Sequence, residues 1–157
     1  MLAKPILARD IMVTKLITLR PDMDAFDAIE LLLKHKISGA PVVDASRRLI
    51  GVFSERCSMS VVLEGAYQQL PTNDVAAFMD TSPRTIDEEV DLLSIAQIFQ
   101  ETSFRRLPVL RDGILVGQIS RRDLLRAVHQ TFAQATCQDS ALLYLSSLME
   151  RSEHPIG

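Results

Sequence analysis

Apolar positions along this 157-residue chain recur with two periods, and they do so twice in the same order. Ala25, Ala28, Ile29 and Leu32 follow the i, i+3, i+4, i+7 spacing that lines one face of an α-helix, and Leu92, Ile95, Ala96 and Phe99 repeat it. Acids precede both stripes, Asp22 and Asp24 in one and Asp87, Glu88 and Glu89 in the other, as the positive end of a helix dipole favours. Beyond each stripe the pattern changes to pairs of short apolar runs rich in β-branched residues. The Asp112-Gly113 pair between the last two runs signals a tight hairpin. Pro41 and Pro108 stand at strand entries, where a missing N–H does least harm.

The two halves are copies of one unit. Ile11-Met12 matches Phe78-Met79, Thr18 matches Thr85, and Pro41-Val42-Val43 matches Pro108-Val109-Leu110, all at an offset of 67. The turn "DASRRL" is one residue longer than "RDGIL", so the offset falls to 66 and Gly51 matches Gly117. Each unit predicts a strand (Leu16 to Leu19 in the first), a helix (Asp24 to Lys36), a hairpin (Ala40 to Asp44 with Leu49 to Ser54) and a helix after Ser54. "AYQQLPTND", polar and broken by Pro71, reads as the linker. "DSALLYLSSLMER" reads as an extra helix with Leu142, Leu145, Leu148 and Met149 on one side, packing on the core or on another subunit. The expected organisation is an α+β fold with a first repeat over 1–66, linker and second repeat over 67–136, and a C-terminal helix and tail over 137–157.

Composition narrows the function. With 47% hydrophobic and 24% charged residues, the chain is an ordinary globular one. No apolar run approaches the roughly 20 residues of a membrane span. The start "MLAKPILARD" holds no apolar stretch long enough for a secretory signal, so a cytoplasmic protein is expected. A net charge of −3 argues against a sequence-independent grip on nucleic acid. Arg105, Arg106, Arg111, Arg121, Arg122 and Arg126 nonetheless crowd the second half, either to hold a small anion or as a solvated surface. Cys57 and Cys137 form no CxxC pattern and no histidines complete a zinc set, so both read as reduced thiols. His35, His129 and His154 accompany no nucleophile elbow, P-loop or metal-ligand spacing, which argues against an enzyme.

One phrase is written twice with a difference. "VGQISRRDLL" places the Ser120 hydroxyl at a strand end and the Asp123 carboxylate in the first turn of the next helix; "IGVFSERCSM" has Ser54 but Cys57 in place of the acid. Ser120 and Asp123 suit a capping box, and they also suit a ribose, whose vicinal hydroxyls can both donate to a carboxylate while helix N–H groups attract phosphate. Both roles can coexist.

With "SGAPVV" and "RRLPVL" in register before these phrases, the chain resembles a tandem pair of cystathionine β-synthase (CBS) domains from about Ala8 to Gln134. The resemblance implies two repeats packed through their sheets with approximate two-fold symmetry, and clefts that bind AMP, ADP, ATP or S-adenosylmethionine. It implies a regulatory sensor of energy or metabolite state, a homodimer, and a regulated partner acting in trans. It also assigns Thr18 to a nucleotide contact, Ile37 and Ser38 to adenine, Arg106 and Arg122 to phosphate, and Ser120 with Asp123 to the ribose. Core packing for Ile37 and an ordinary strand role for Thr18 are the alternatives. The other cleft, around Ser54, Cys57, Thr85 and Arg105, lacks its acid. Each charge-assisted hydrogen bond lost there is worth about 1.5–3 kcal/mol, so one good site per chain is expected. Cys57 reads as a small hydrophobe or, beside Arg56, as a regulatory thiol. The rival function is a dimerisation module that binds no nucleotide.

Overall fold

The computed structural model describes residues 4–67, 73–133, 143 and 145–149. In chain order the elements are α1 (Ala8–Ile11), α2 (Ala25–His35), β1 (Gly39–Val43), β2 (Leu49–Ser54), α3 (Glu55–Tyr67), α4 (Val75–Phe78), β3 (Ile86–Asp87), α5 (Leu92–Glu101), β4 (Arg106–Arg111), β5 (Ile114–Ser120) and α6 (Arg121–Ala133). Both predicted stripes face inward: Ala25, Ala28 and Leu32 on α2, and Leu92, Ile95 and Phe99 on α5, are buried. Asp24 caps α2 by accepting the N–H groups of Phe26 and Asp27. The cap of α5 is Asp91, which accepts from the Ser94 N–H at 2.9 Å, rather than any of the acids at 87–89.

β1 and β2 pair antiparallel with Gly39 opposite Ser54, and β3, β4 and β5 form a sheet in that order with β3 parallel to β4. The strand expected over Leu16 to Leu19 shrinks to one parallel bridge between Leu19 and Val42. Leu19 donates to Pro41 O at 2.9 Å and accepts from the Val43 N–H at 3.0 Å. The preceding rung would need an N–H on Pro41, which proline lacks. The second hairpin turns through Asp112 and Gly113, both at positive φ (52° and 80°), as the tight turn requires. The longer first turn is held by Asp44, whose Oδ1 accepts the N–H groups of Ser46 and Arg48.

The chain forms two compact units that are not colinear with the repeats. As far as they are described, one comprises Met1–Thr14, Thr85–Arg111 and Val116–Gly157, and the other Lys15–Arg84 and Asp112–Leu115. The segment preceding each repeat therefore completes the unit of the other repeat. Ala8 donates to Val90 O, Leu92 to Ile6 O, and Val13 exchanges both hydrogen bonds with Gln118 on β5. In the other unit Val75 donates to Met23 O, Ala25 to Asn73 O, and Asp80 exchanges both bonds with Val52 on β2. Every partner in one set is the repeat equivalent of a partner in the other.

Ala8 on α1 and Val75 on α4 are consequently fully buried, each in the core of its unit. Met12 lies over Gly117 and Met79 over Gly51. A Cβ at Gly117 would stand 2.7 Å from Met12 Cγ, and one at Gly51 would stand 2.8 Å from Asp80 O, so close approach explains both glycines.

Leu143 and residues 145–149 are helical, in keeping with the expected final helix, and Leu148 is buried. Met149 is exposed rather than inward, while Leu142, Cys137 and His154 lie outside the described residues. No helix among the described residues is long and apolar enough to cross a membrane.

Candidate ligand-binding site

β5 delivers Ser120 to the N-cap of α6, and Asp123 follows at N3. The two residues close a reciprocal box: the Ser120 N–H donates to Asp123 Oδ2 at 2.8 Å, and the Asp123 N–H donates to Ser120 Oγ at 3.1 Å. The capping reading is therefore realised. It does not use up the polar groups. Among the described residues, Asp123 Oδ1 accepts no hydrogen bond and pairs only with Arg126, at 3.7 Å, and the Ser120 hydroxyl proton has no acceptor. The Asp123 side chain is 16% exposed, partly desolvated yet reachable. One anionic acceptor and one neutral donor thus remain side by side, a combination that can accept from and donate to a diol.

The equivalent turn of the first repeat is closed on itself. Cys57 N–H donates to Ser54 Oγ at 3.3 Å, the Ser54 hydroxyl lies 3.4 Å from Cys57 Sγ, and that thiol lies 3.8 Å from Val52 O. Cys57 packs against the core of its unit, as a small hydrophobe would. Half of a capping box survives here, without an anionic acceptor.

The remaining candidates fall in two places. Thr18 is half-buried beside the Leu19–Val42 bridge. Ile37 follows Lys36, which ends α2 in the left-handed conformation, and its N–H donates to Leu32 O at 3.1 Å while its side chain packs on the core. Ser38 is half-buried and its carbonyl accepts the Glu55 N–H at 2.9 Å, tying it to the start of α3. These three belong to one unit; Arg106, Ser120, Arg122 and Asp123 belong to the other. β4 begins at Arg106 and β5 ends at Ser120, so hairpin geometry sets both at the same open end, with Arg122 exposed at the second position of α6.

The arginine cluster divides by task. Arg111 forms a bidentate pair with Glu88, Nε to Oε1 at 2.7 Å and Nη2 to Oε2 at 2.8 Å. Those hydrogen bonds hold the Glu88 carboxyl below its ordinary 4.5, against an opposing effect of burial and with further attraction from the Arg111 and Arg9 charges. Arg121 donates from Nη2 to Phe99 O at 2.9 Å and Thr102 O at 2.8 Å. Neither role was legible in sequence, because the partners lie about twenty residues upstream. Arg105 and Arg122 are exposed, and no group of three or more potential metal ligands occurs among the described residues.

Two copies of a helix–hairpin–helix unit, each finishing on a serine-capped helix, define a paired-repeat module. Residues 8–56 and 74–130 match the CBS domain, and the chain belongs to the CBS-domain family as a tandem pair. It is 33% identical over 137 residues to the CBS domain-containing protein CBSX1, chloroplastic, of Arabidopsis thaliana, covering 71% of this chain and 58% of that protein. It is 31% identical over 125 residues to the uncharacterized protein MJ1225 of Methanocaldococcus jannaschii, covering 80% of this chain and 44% of that one. The chain therefore spans about half the length of these relatives. Among solved structures, that of CBSX2 in complex with AMP superposes with a TM-score of 0.73 at 31% identity, covering 80% of this chain and 98% of that one.

Proposed function

We propose that this chain is a regulatory sensing module whose second repeat anchors an adenosyl ligand, AMP or its relatives ADP, ATP and S-adenosylmethionine. The observation that carries this reading is the Ser120–Asp123 turn, which keeps a carboxylate oxygen and a hydroxyl proton beyond those the helix cap consumes. CBSX2, which is 31% identical, was crystallised with AMP, which supports the ligand class. In this reading Asp123 and Ser120 hold the ribose, and Arg106 and Arg122 meet phosphate. The Ser54–Cys57 turn binds weakly or not at all. The module acts in the cytoplasm on a partner protein, and neither nucleic acid nor a membrane is its target.

We also infer that two copies associate. On α3, Met59, Val62, Leu63 and Tyr67 stand at i, i+3, i+4 and i+8, and each is more than half exposed. Leu63→Glu should shift the mass of the full chain in solution from dimer to monomer; a wild-type monomer refutes the association. Calorimetric titration with AMP, ATP and S-adenosylmethionine tests the ligand. Saturable heat with about one ligand per chain supports the sensor, whereas no binding at millimolar ligand leaves the dimerisation module as the function.

A further inference from the structure

Arg121, the first residue of α6, spends its Nη2 on two carbonyls, Phe99 O and Thr102 O, and its guanidinium carbon lies 5.9 Å from the centre of the Phe99 ring. Those carbonyls belong to the last turn and C-cap of α5, where intrahelical partners run out and the dipole favours a cation. Phe99 is itself buried in the core of its unit, so the guanidinium is moored to a fixed point. Arg121 also sits inside the capping box, directly after Ser120 and two residues before Asp123. Fixing Arg121 therefore fixes the backbone that joins the two halves of the box. In the first repeat the same position is Glu55, which cannot donate to carbonyls, and that repeat is also the one in which Cys57 replaces the acid. One turn has both the mooring and the acid; its copy has neither.

We propose that Arg121 is a positioning residue for the ligand site: by tying the first turn of α6 to the end of α5, it holds the Asp123 carboxylate in the orientation that receives the ribose. The inference rests on the ligand reading above. It differs from a phosphate contact in one consequence, because a residue that acts through Asp123 affects adenosine and AMP alike. Full-length wild type, Arg121→Ala and Arg121→Lys are titrated calorimetrically with adenosine and with AMP, and exchange of the Ser120 amide is followed in the ligand-free proteins. Arg121→Ala should bind both ligands about tenfold more weakly and exchange the Ser120 amide faster. Arg121→Lys should recover part of both, since an ammonium can still reach a carbonyl without the planar fork. A loss confined to AMP would make Arg121 a phosphate ligand, and a lowered melting temperature with unchanged affinities would make it a structural clamp; either result overturns the inference. So does an unchanged Ser120 amide. A wild-type chain that binds neither ligand overturns the ligand reading itself, whereas wild-type binding with indifferent variants overturns only the role of Arg121.

Discussion

Replacing Asp123 by asparagine keeps the shape of the turn and removes its charge. In the native turn Oδ2 accepts the Ser120 N–H at 2.8 Å, and an amide oxygen in that place accepts it as well. The box survives, and the loss of a negative charge from the first turn costs only about 0.3–1 kcal/mol. The second oxygen fares differently. Once the amide oxygen serves Ser120, the amide nitrogen occupies the Oδ1 position, and a donor then faces hydroxyls that need an acceptor. A hydrogen bond to a charged group is worth about 1.5–3 kcal/mol, and each 1.4 kcal/mol is tenfold, so AMP affinity should fall about ten- to a hundredfold. Asp123→Ala removes both functions. It should match the loss of affinity and add about 1 kcal/mol for the lost half of the capping box, or about 2–4 °C of melting temperature at this chain length. Calorimetric titration with AMP alongside thermal denaturation separates the two effects. Wild-type affinity in Asp123→Asn would remove Asp123 from the ligand site, because the charge would then have no ligand to serve.

Three further outcomes follow from the same geometry. Cys57→Asp supplies the missing acceptor and should raise the AMP stoichiometry from about one to two per chain; an unchanged stoichiometry would mean the acid is not what that turn lacks. Gly117→Ala pushes a methyl group to 2.7 Å from Met12 Cγ and should cost about 1–3 kcal/mol by denaturant unfolding, with Met12→Ala in the same chain removing Cγ and reducing the loss, although Met12 Cβ still stands at 3.0 Å. Equal losses with and without Met12 would contradict this. Glu88, whose folded carboxyl is held low by Arg111, adds stability above its ordinary value of 4.5, and that contribution is lost as pH falls through the lower folded value. Glu88→Gln should therefore melt below wild type at pH 7, with the gap closing under pH 4; a gap that persists in acid would place the effect outside ionisation.

Period and turn chemistry made much of this fold legible. The stripes on α2 and α5, the Asp112-Gly113 turn and the Ser120–Asp123 box all depend on residues within one or two helical turns of each other. What stayed hidden depends on distant partners or on absent atoms. α1 and α4, four residues each, are too short to show a period, and their burial follows from pairing with Val90 and Met23, far along the chain. The contraction of the Leu16 to Leu19 strand is set by the imino nitrogen of Pro41 across the sheet. At the site, the pairing of serine and acid was readable, but the division of labour between the two carboxylate oxygens was not, because it requires distances. The arginine cluster likewise looked uniform in sequence, whereas Arg111 and Arg121 are committed to Glu88 and to the end of α5.

The most direct measurement is a crystal structure of the full chain grown with AMP. The expected result is a nucleotide whose ribose hydroxyls meet Asp123 and Ser120 at the start of α6, with the Ser54–Cys57 turn bare. A nucleotide seated on the Ser54–Cys57 turn, or one that leaves Asp123 without a ligand contact, would contradict it.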